Sequence, residues 1–113
     1  PVVPGHRFSL ALAIAGALAK AQGSGAKGLS VHELGATLGT DPLQLEPVVE
    51  TLIGLDWVGV LDEAGDKRLV LLVQPPSTKV EPLVQALLLQ NQRAAERFRA
   101  QAGLNRLLLS DVL

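Results

Sequence analysis

The spacing of apolar residues changes along the central stretch of the chain, residues 30–73. In the first half, apolar residues recur three and four positions apart, as on one face of an α-helix, in two blocks: Val31, Leu34 and Leu38, then Leu45, Val48, Val49 and Leu52. In the second half, two short β-prone runs, residues 57–61 and 69–73, flank the turn-forming segment Glu63-Ala64-Gly65-Asp66. The pattern predicts helix, turn, helix, strand, tight turn and strand.

The ends of the first central helix carry specific signals. Ser30 and Glu33 stand in a capping box, in which the serine hydroxyl accepts from the Glu33 amide and the glutamate accepts from the Ser30 amide. Gly39 follows the last apolar position and is suited to the left-handed conformation that ends many helices. We therefore predict a helix between Ser30 and Gly39.

The second central helix is predicted to run from about Pro42 to Leu55, with Asp41 as its N-cap. Pro47 lies inside this range, where proline removes a backbone hydrogen bond and kinks a helix. We therefore expect residues 42–45 to form a loose first turn, with the regular helix beginning at Glu46 or Pro47.

Helical and linking segments are predicted on either side of this stretch. Residues 1–5 are predicted to be a linker, His6 to Gln22 a helix that is apolar nearly all round, and residues 23–28 a flexible loop. A second capping box, Thr78 to Glu81, precedes another amphipathic helix. We predict a C-terminal helical extension over residues 91–113 that is partly flexible, in which the leucines of 104–109 pack or dock and residues 110–113 fray.

Together these elements predict a mainly α-helical fold with a small β-hairpin. Their order is that of a winged helix-turn-helix, residues 6–90, followed by C-terminal helices. In DNA-binding proteins of this class the second helix of the helix-turn-helix enters the major groove. The fold alone does not establish that role, because one fold serves many functions.

The charge of the central stretch argues against DNA binding by that helix. From Gly28 through Asp66 there is no Lys or Arg, and the same interval holds eight acids: Glu33, Asp41, Glu46, Glu50, Asp56, Asp62, Glu63 and Asp66. Affinity for nucleic acid rests largely on Lys and Arg side chains that neutralise phosphates. On the solvent face of the second central helix, only Gln44 and Thr51 are suited to reading bases, whereas Glu50 would be repelled by phosphates.

Basic residues that could contact a partner or nucleic acid lie after this interval. Lys67 and Arg68 are on the predicted wing, and Arg93 and Arg97 share one face of the predicted C-terminal helix. With Gln44 and Thr51 they are the candidate contact residues. The chain as a whole has a net charge of −1, which gives no bulk attraction to nucleic acid or anionic lipid.

Catalytic, cofactor and metal sites are not indicated by the sequence. The chain has no cysteine, and its two histidines, His6 and His32, have no second ligand at metal-binding spacing. The acids Asp62, Glu63 and Asp66 lie in the predicted hairpin turn, which is too wet for a general acid or base. We expect a chain without catalytic activity, cofactor or metal. The absence of methionine fits a segment of a longer protein.

Residues 7–88 resemble the C-terminal region of the YihY/BrkB family of bacterial inner-membrane proteins. The likeness is carried by GLSVHELGATLG at 28–39, DPLQLEPVVETLIGLDWVGVL at 41–61 and KRLVLL at 67–72. It implies a domain on the cytoplasmic face of the inner membrane, attached to a membrane-spanning region. Members of the family have been labelled tRNA-processing ribonuclease BN, but no catalytic residue carries over to this segment.

Three hypotheses about function follow. The first is a non-catalytic winged-helix module that docks a protein partner or self-associates, as the acidic central stretch favours. The second is a nucleic-acid-binding regulator that uses the wing and the C-terminal arginines. The third is part of a ribonuclease, as the family label implies, which would depend on His6 or His32.

Overall fold

The computed structural model describes residues 4–63, 65–88 and 106–113. In chain order it contains helices α1 (Pro4–Gly23), α2 (Val31–Leu38) and α3 (Pro42–Gly54), strands β1 (Val58–Glu63) and β2 (Asp66–Leu71), a 3-10 helix (Pro75–Ser77), helix α4 (Glu81–Leu88) and the C-terminal helix (Leu109–Val112). The strands form an antiparallel hairpin. The described chain is thus mainly helical with a two-stranded hairpin, in the predicted order.

Helix α1 lies at the centre of the fold. Its apolar residues are buried on one side, and it contacts α2, α3, α4 and β2. It begins at Pro4 rather than at His6 and ends at Gly23, so Pro4 and Gly5 are helical and not linker as predicted. None of the described helices is both long enough and apolar enough to cross a membrane. The division into residues 6–90 and 91–113 stays a prediction.

Both ends of α2 are formed as predicted. The Ser30 hydroxyl accepts a hydrogen bond from the Glu33 amide at 3.1 Å, and the Glu33 carboxylate accepts one from the Ser30 amide at 3.0 Å. Gly39 ends the helix in the left-handed conformation, with φ of 63°. The turn to α3 passes close to buried Gly35. A β-carbon on Gly35 would lie 2.7 Å from the Thr40 carbonyl oxygen, so this tight turn requires glycine there.

The capping box makes stability depend on pH. The hydrogen bonds from the Ser30 amide and hydroxyl lower the pKa of Glu33 below its usual value. A carboxyl group whose pKa is lowered by folding stabilises the protein above its unfolded-state pKa, and this contribution is lost as the pH falls through the folded-state pKa. We expect the free energy of unfolding of wild type to fall more on acidification than that of Glu33→Gln, whose amide is not ionised.

Urea unfolding at a series of acidic pH values measures this difference. The matched control is Glu46→Gln on α3, since Glu46 is exposed and makes no hydrogen bond in the described part of the chain. Its pH dependence should follow that of wild type. Equal pH dependence for Glu33→Gln and wild type would contradict the role of Glu33.

Helix α3 is continuous from its first residue, so the predicted loose turn at residues 42–45 is wrong. The Asp41 carboxylate accepts from the Leu43 amide at 2.9 Å, and Pro42 occupies the first turn, where its missing amide costs no helical bond. Pro47 stays within the helix on its exposed side. There a proline can be accommodated because the carbonyl group that loses its partner can turn toward water.

The hairpin is longer and tighter than predicted. Strand β2 begins at Asp66 rather than at Leu69, and Glu63 pairs directly with Asp66 across the turn. Gly65 has a φ of 85°, as the turn prediction required. Before β1, Asp56 has a φ of 60°, and Trp57 is almost completely buried.

A third extended segment joins the sheet at Leu29, directly after the predicted loop of residues 23–28 and at a position for which the sequence predicted no element. Leu29 and Leu69 exchange backbone hydrogen bonds of 3.0 and 2.8 Å. Leu29 therefore lies along one edge of β2, and β1 lies along the other. This pairing fixes the entry into α2 against the wing.

The C-terminal segment packs against the rest of the fold. Leu109 is fully buried, and backbone hydrogen bonds join Val80 to Leu107 and Leu109 to Thr78. The predicted fraying of residues 110–113 is wrong, since the helix runs to Val112. The second capping box is also wrong: the Thr78 hydroxyl donates to the Gln74 carbonyl at 2.7 Å, and α4 begins at Glu81. Residues 91–105 of the predicted extension lie outside the described residues.

Candidate partner-binding face

The outward side of α3 is the candidate partner-binding face. The inward side buries Leu45, Val48, Val49 and Leu52, as the apolar spacing predicts. The outward side leaves six residues exposed to solvent, which together define the α3 face: Leu43, Gln44, Glu46, Pro47, Glu50 and Gly54. The face thus combines apolar, amide and acidic groups and contains no base.

Leu43 is the most prominent residue of the α3 face. Its side chain is 72% exposed, the highest value among the exposed large hydrophobic residues of the described chain. The Leu43 amide donates a hydrogen bond to the Asp41 carboxylate at 2.9 Å, so the position of Leu43 at the start of the helix is fixed. The sequence prediction missed Leu43, although its spacing from the buried stripe already places it on the opposite side of the helix.

Of the two residues predicted to read bases, only one is free to do so. Gln44 is exposed on the α3 face. Thr51 is half-buried, and its hydroxyl donates to the Pro47 carbonyl of the same helix at 3.2 Å. The Thr51 donor is thereby used within α3.

The two basic residues predicted on the wing differ in their surroundings. Arg68 is half-buried, and its Nε donates to the Asp66 carboxylate at 2.9 Å. This bond and the negative charge of Asp66 raise the pKa of Arg68, and Glu33 and Glu63 act in the same direction. The charge of Arg68 is therefore balanced locally, whereas Lys67 is exposed on β2 opposite Asp62.

Arg93 and Arg97 lie outside the described residues, so the structure does not place them relative to the wing. The eight acids of the interval from Gly28 through Asp66 are all exposed. In the described part of the chain, the surface formed by α2, α3 and the wing up to Asp66 is therefore acidic. Such a surface repels phosphates and attracts basic groups.

The described residues offer little for a cofactor or metal. A shallow cleft of about 110 Å³ lies between α1 and the wing, lined by Leu18, Gln22, Ala26, Gly28, Val70 and Leu71. Pockets for drug-sized ligands are roughly 300 Å³ or larger. Among the described residues there is no group of three or more His, Cys, Asp or Glu that could hold a metal ion. His6 and His32 are both exposed.

One solved structure has a similar overall fold. T. potens IscR aligns with a TM-score of 0.64 and 16% sequence identity, over 98% of this chain and 83% of that chain. At this identity the likeness concerns the fold alone. It is consistent with the predicted winged-helix architecture.

Relatives of this chain are membrane proteins. No family model matches the sequence. The chain is 44% identical over 113 residues to a UPF0761 membrane protein of Methylibium petroleiphilum, covering 100% of this chain and 27% of the relative. It is 43% identical to a UPF0761 membrane protein of Verminephrobacter eiseniae, covering 98% of this chain and 28% of that relative. It is 38% identical to a UPF0761 membrane protein of Albidiferax ferrireducens, covering 96% of this chain and 27% of that relative. Their descriptions name neither YihY/BrkB nor a ribonuclease.

The chain therefore spans little more than a quarter of the length of the relatives it matches. The coverage of nearly the whole chain by one segment of each relative fits a domain of a larger membrane protein.

Proposed function

We propose that this chain is a non-catalytic winged-helix module of a UPF0761 membrane protein, of the YihY/BrkB type, and that it docks a protein segment on its α3 face. One observation carries the proposal: Leu43 is 72% exposed on a helix whose charged residues are all acidic. Contiguous exposed apolar surfaces with a polar rim are typical of protein-binding sites, and Leu43 is next to a second exposed apolar residue, Pro47, four positions along the same side of α3. Outside this face, the most exposed large apolar residue of the described chain is Leu72, at 55%.

The charges of the α3 face indicate the chemistry of the partner. Glu46 and Glu50 flank Pro47, and Asp41 lies beside Leu43, so carboxylates rim the apolar surface. The complementary surface is an apolar side chain flanked by Lys or Arg, because opposite charges at the rim speed association and suppress wrong partners. We therefore propose a basic segment with an apolar anchor as the docked partner.

A cytoplasmic location suits this partner. The relatives are membrane proteins, and the cytoplasmic loops of membrane proteins carry an excess of Lys and Arg. A module with an acidic surface would be attracted to such loops and repelled by the anionic lipids beside them. We therefore propose that the module lies on the cytoplasmic side of the membrane.

Nucleic-acid binding is the main alternative to protein docking on the α3 face. A DNA-binding winged helix needs basic groups at the phosphates that flank its recognition helix. Here α3 has none, and Arg68 is already paired with Asp66. Lys67 is left as the exposed cation of the wing.

The test is photo-crosslinking in living cells that express the full-length protein. A photoreactive amino acid replaces Leu43 in one variant and Ala36, an exposed residue of α2, in the matched control. We expect a discrete protein adduct from position 43 and none from position 36, and the adduct should be lost when Glu46 and Glu50 are both changed to lysine. The proposal is wrong if position 43 gives no adduct or gives the same adducts as position 36.

Titration of labelled duplex DNA and RNA with the 113-residue chain distinguishes the alternative functions. We expect no binding at low salt. Binding that weakens steeply with salt and is reduced by Lys67→Ala would overturn the docking proposal in favour of the nucleic-acid reader. RNA cleavage that disappears when His6 and His32 are both changed to alanine would instead support the ribonuclease label.

A further inference from the structure

The free edge of the wing is a second apolar surface, separate from the α3 face. Leu69 gives both of its backbone hydrogen bonds to Leu29, so it has none left for Val60, its neighbour on β1. Backbone groups alternate in direction along an antiparallel strand, so the N–H and C=O groups of Val58, Val60 and Asp62 all point away from β2. In the described part of the chain no hydrogen bond meets them on that side.

Part of this edge lacks the features with which proteins usually protect free strands. Such edges are blocked by charged side chains, above all lysine, by proline, by a bulge or by a covering element. The charged residues of β1, Asp62 and Glu63, stand next to the turn, whereas residues 58–61 contain no charge and no proline, and the pairing with β2 runs without a bulge. Val60 and Leu61 are 47% and 39% exposed. The edge is thus open to pairing with another strand.

We propose that the outer edge of β1 pairs antiparallel with the same edge of a second copy of this chain, centred on Leu61. Symmetric registers centred on Gly59, Val60, Leu61 or Asp62 match the direction of the free backbone groups. The registers centred on Gly59 and Val60 need the backbone of Val58, a residue that is only 2% exposed. The register centred on Asp62 places that carboxylate opposite its own copy, and like charges directly opposite each other are destabilising.

The register centred on Leu61 has neither defect. Val60 of each copy exchanges backbone hydrogen bonds with Asp62 of the other, and both residues are exposed. The two Leu61 side chains then lie directly opposite, and Glu63 faces Gly59 rather than an acid. Charge, burial and strand direction therefore select one register, in which no two like charges lie directly opposite each other and the two Asp62 residues are diagonal neighbours about 8 Å apart.

The test uses single cysteines, since the natural chain has none. In the proposed register the two Leu61 Cα atoms form a non-hydrogen-bonded pair about 4.5 Å apart, which a disulfide can bridge. The two Val60 Cα atoms lie about 8 Å apart, beyond disulfide reach. We expect Leu61→Cys to form the disulfide dimer faster than Val60→Cys or Leu43→Cys, by about tenfold or more.

Random collision predicts the reverse order. Leu43, Val60 and Leu61 are 72%, 47% and 39% exposed, so collisional disulfides would form fastest at Leu43 and slowest at Leu61. A rate order that follows exposure would overturn the proposal. Because these cysteines report on copies of the chain and the photo-crosslinks report on other proteins, the self-pairing and the α3 docking proposals fail independently.

A second variant tests the backbone pairing itself. Adding Val60→Pro to Leu61→Cys removes the outward amide of Val60 without removing a hydrogen bond to β2, and proline is tolerated on edge strands in that orientation. We expect the rate of dimer formation to fall to that of Val60→Cys, while the fluorescence of buried Trp57 shows the domain still folded. An unchanged rate in the folded double variant would show that Leu61 meets its copy by some other geometry and would reject the proposed register.

Discussion

Replacing Gly28 with alanine is expected to lower the free energy of unfolding by about 3 kcal/mol or more, the sum of a steric clash and a left-handed backbone. A β-carbon on Gly28 would lie 2.4 Å from the Leu69 carbonyl oxygen and 2.9 Å from Val70 Cγ1. Gly28 also has a φ of 86°, which side chains disfavour. The carbonyl cannot move away freely, because it accepts the hydrogen bond from the Leu29 amide at 3.0 Å.

Gly25→Ala is the matched control for this prediction. Gly25 has a φ of 82°, close to that of Gly28, but a β-carbon there would meet no atom within 4 Å. We expect a loss of about 1 kcal/mol from backbone strain alone. Denaturant unfolding followed by the fluorescence of Trp57, the only tryptophan, measures both variants. Equal losses at the two positions would show that the close approach of Gly28 to β2 contributes nothing.

Gly28 also shows why part of the fold escaped prediction. The helices of the central stretch could be predicted because their caps and apolar spacing are local: Ser30, Gly39 and Asp41 all act on neighbouring residues. The pairing of Leu29 with Leu69 joins residues far apart in sequence. No periodicity marks a single extended residue after a glycine-rich loop, so the sequence predicts a loop over residues 23–28 and no strand at Leu29.

The error at α3 has a different cause. Proline inside a helix is ordinarily disruptive, and the local rule therefore placed the start of the regular helix near Pro47. In the structure Pro47 lies on the exposed side, and the helix is anchored on its other side by Leu45, Val48 and Leu52. Tertiary packing thus outweighs the local preference at this position.

The candidate sites could be predicted only as far as their residue types. The acidic character of the surface follows from the sequence, because eight acids without a nearby base cannot all be buried. The pairing of Arg68 with Asp66 could not be predicted in the same way, since it depends on the hairpin register. The exposure of Leu43 was within reach of the helical spacing, but leucine is usually assumed to belong to the core.

Replacing Leu109 with alanine is expected to lower the free energy of unfolding by about 2–5 kcal/mol, the range for a fully buried leucine. The Leu109 side chain has no solvent exposure, and its amide donates to the Thr78 carbonyl. Removing the side chain leaves a cavity beneath the last helix, between it and the segment before α4. Urea unfolding of the 113-residue chain, followed by Trp57 fluorescence, measures the loss.

Leu113→Ala is the control, since that leucine belongs to the same terminal segment but is 45% exposed. We expect it to cost less than about 1 kcal/mol. The comparison decides between the two roles that the sequence allowed for the C-terminal leucines, because a docking segment would tolerate alanine at both positions without loss of stability. A large loss confined to Leu109 would mean that this leucine belongs to the same core as α4 and is not part of a docking segment.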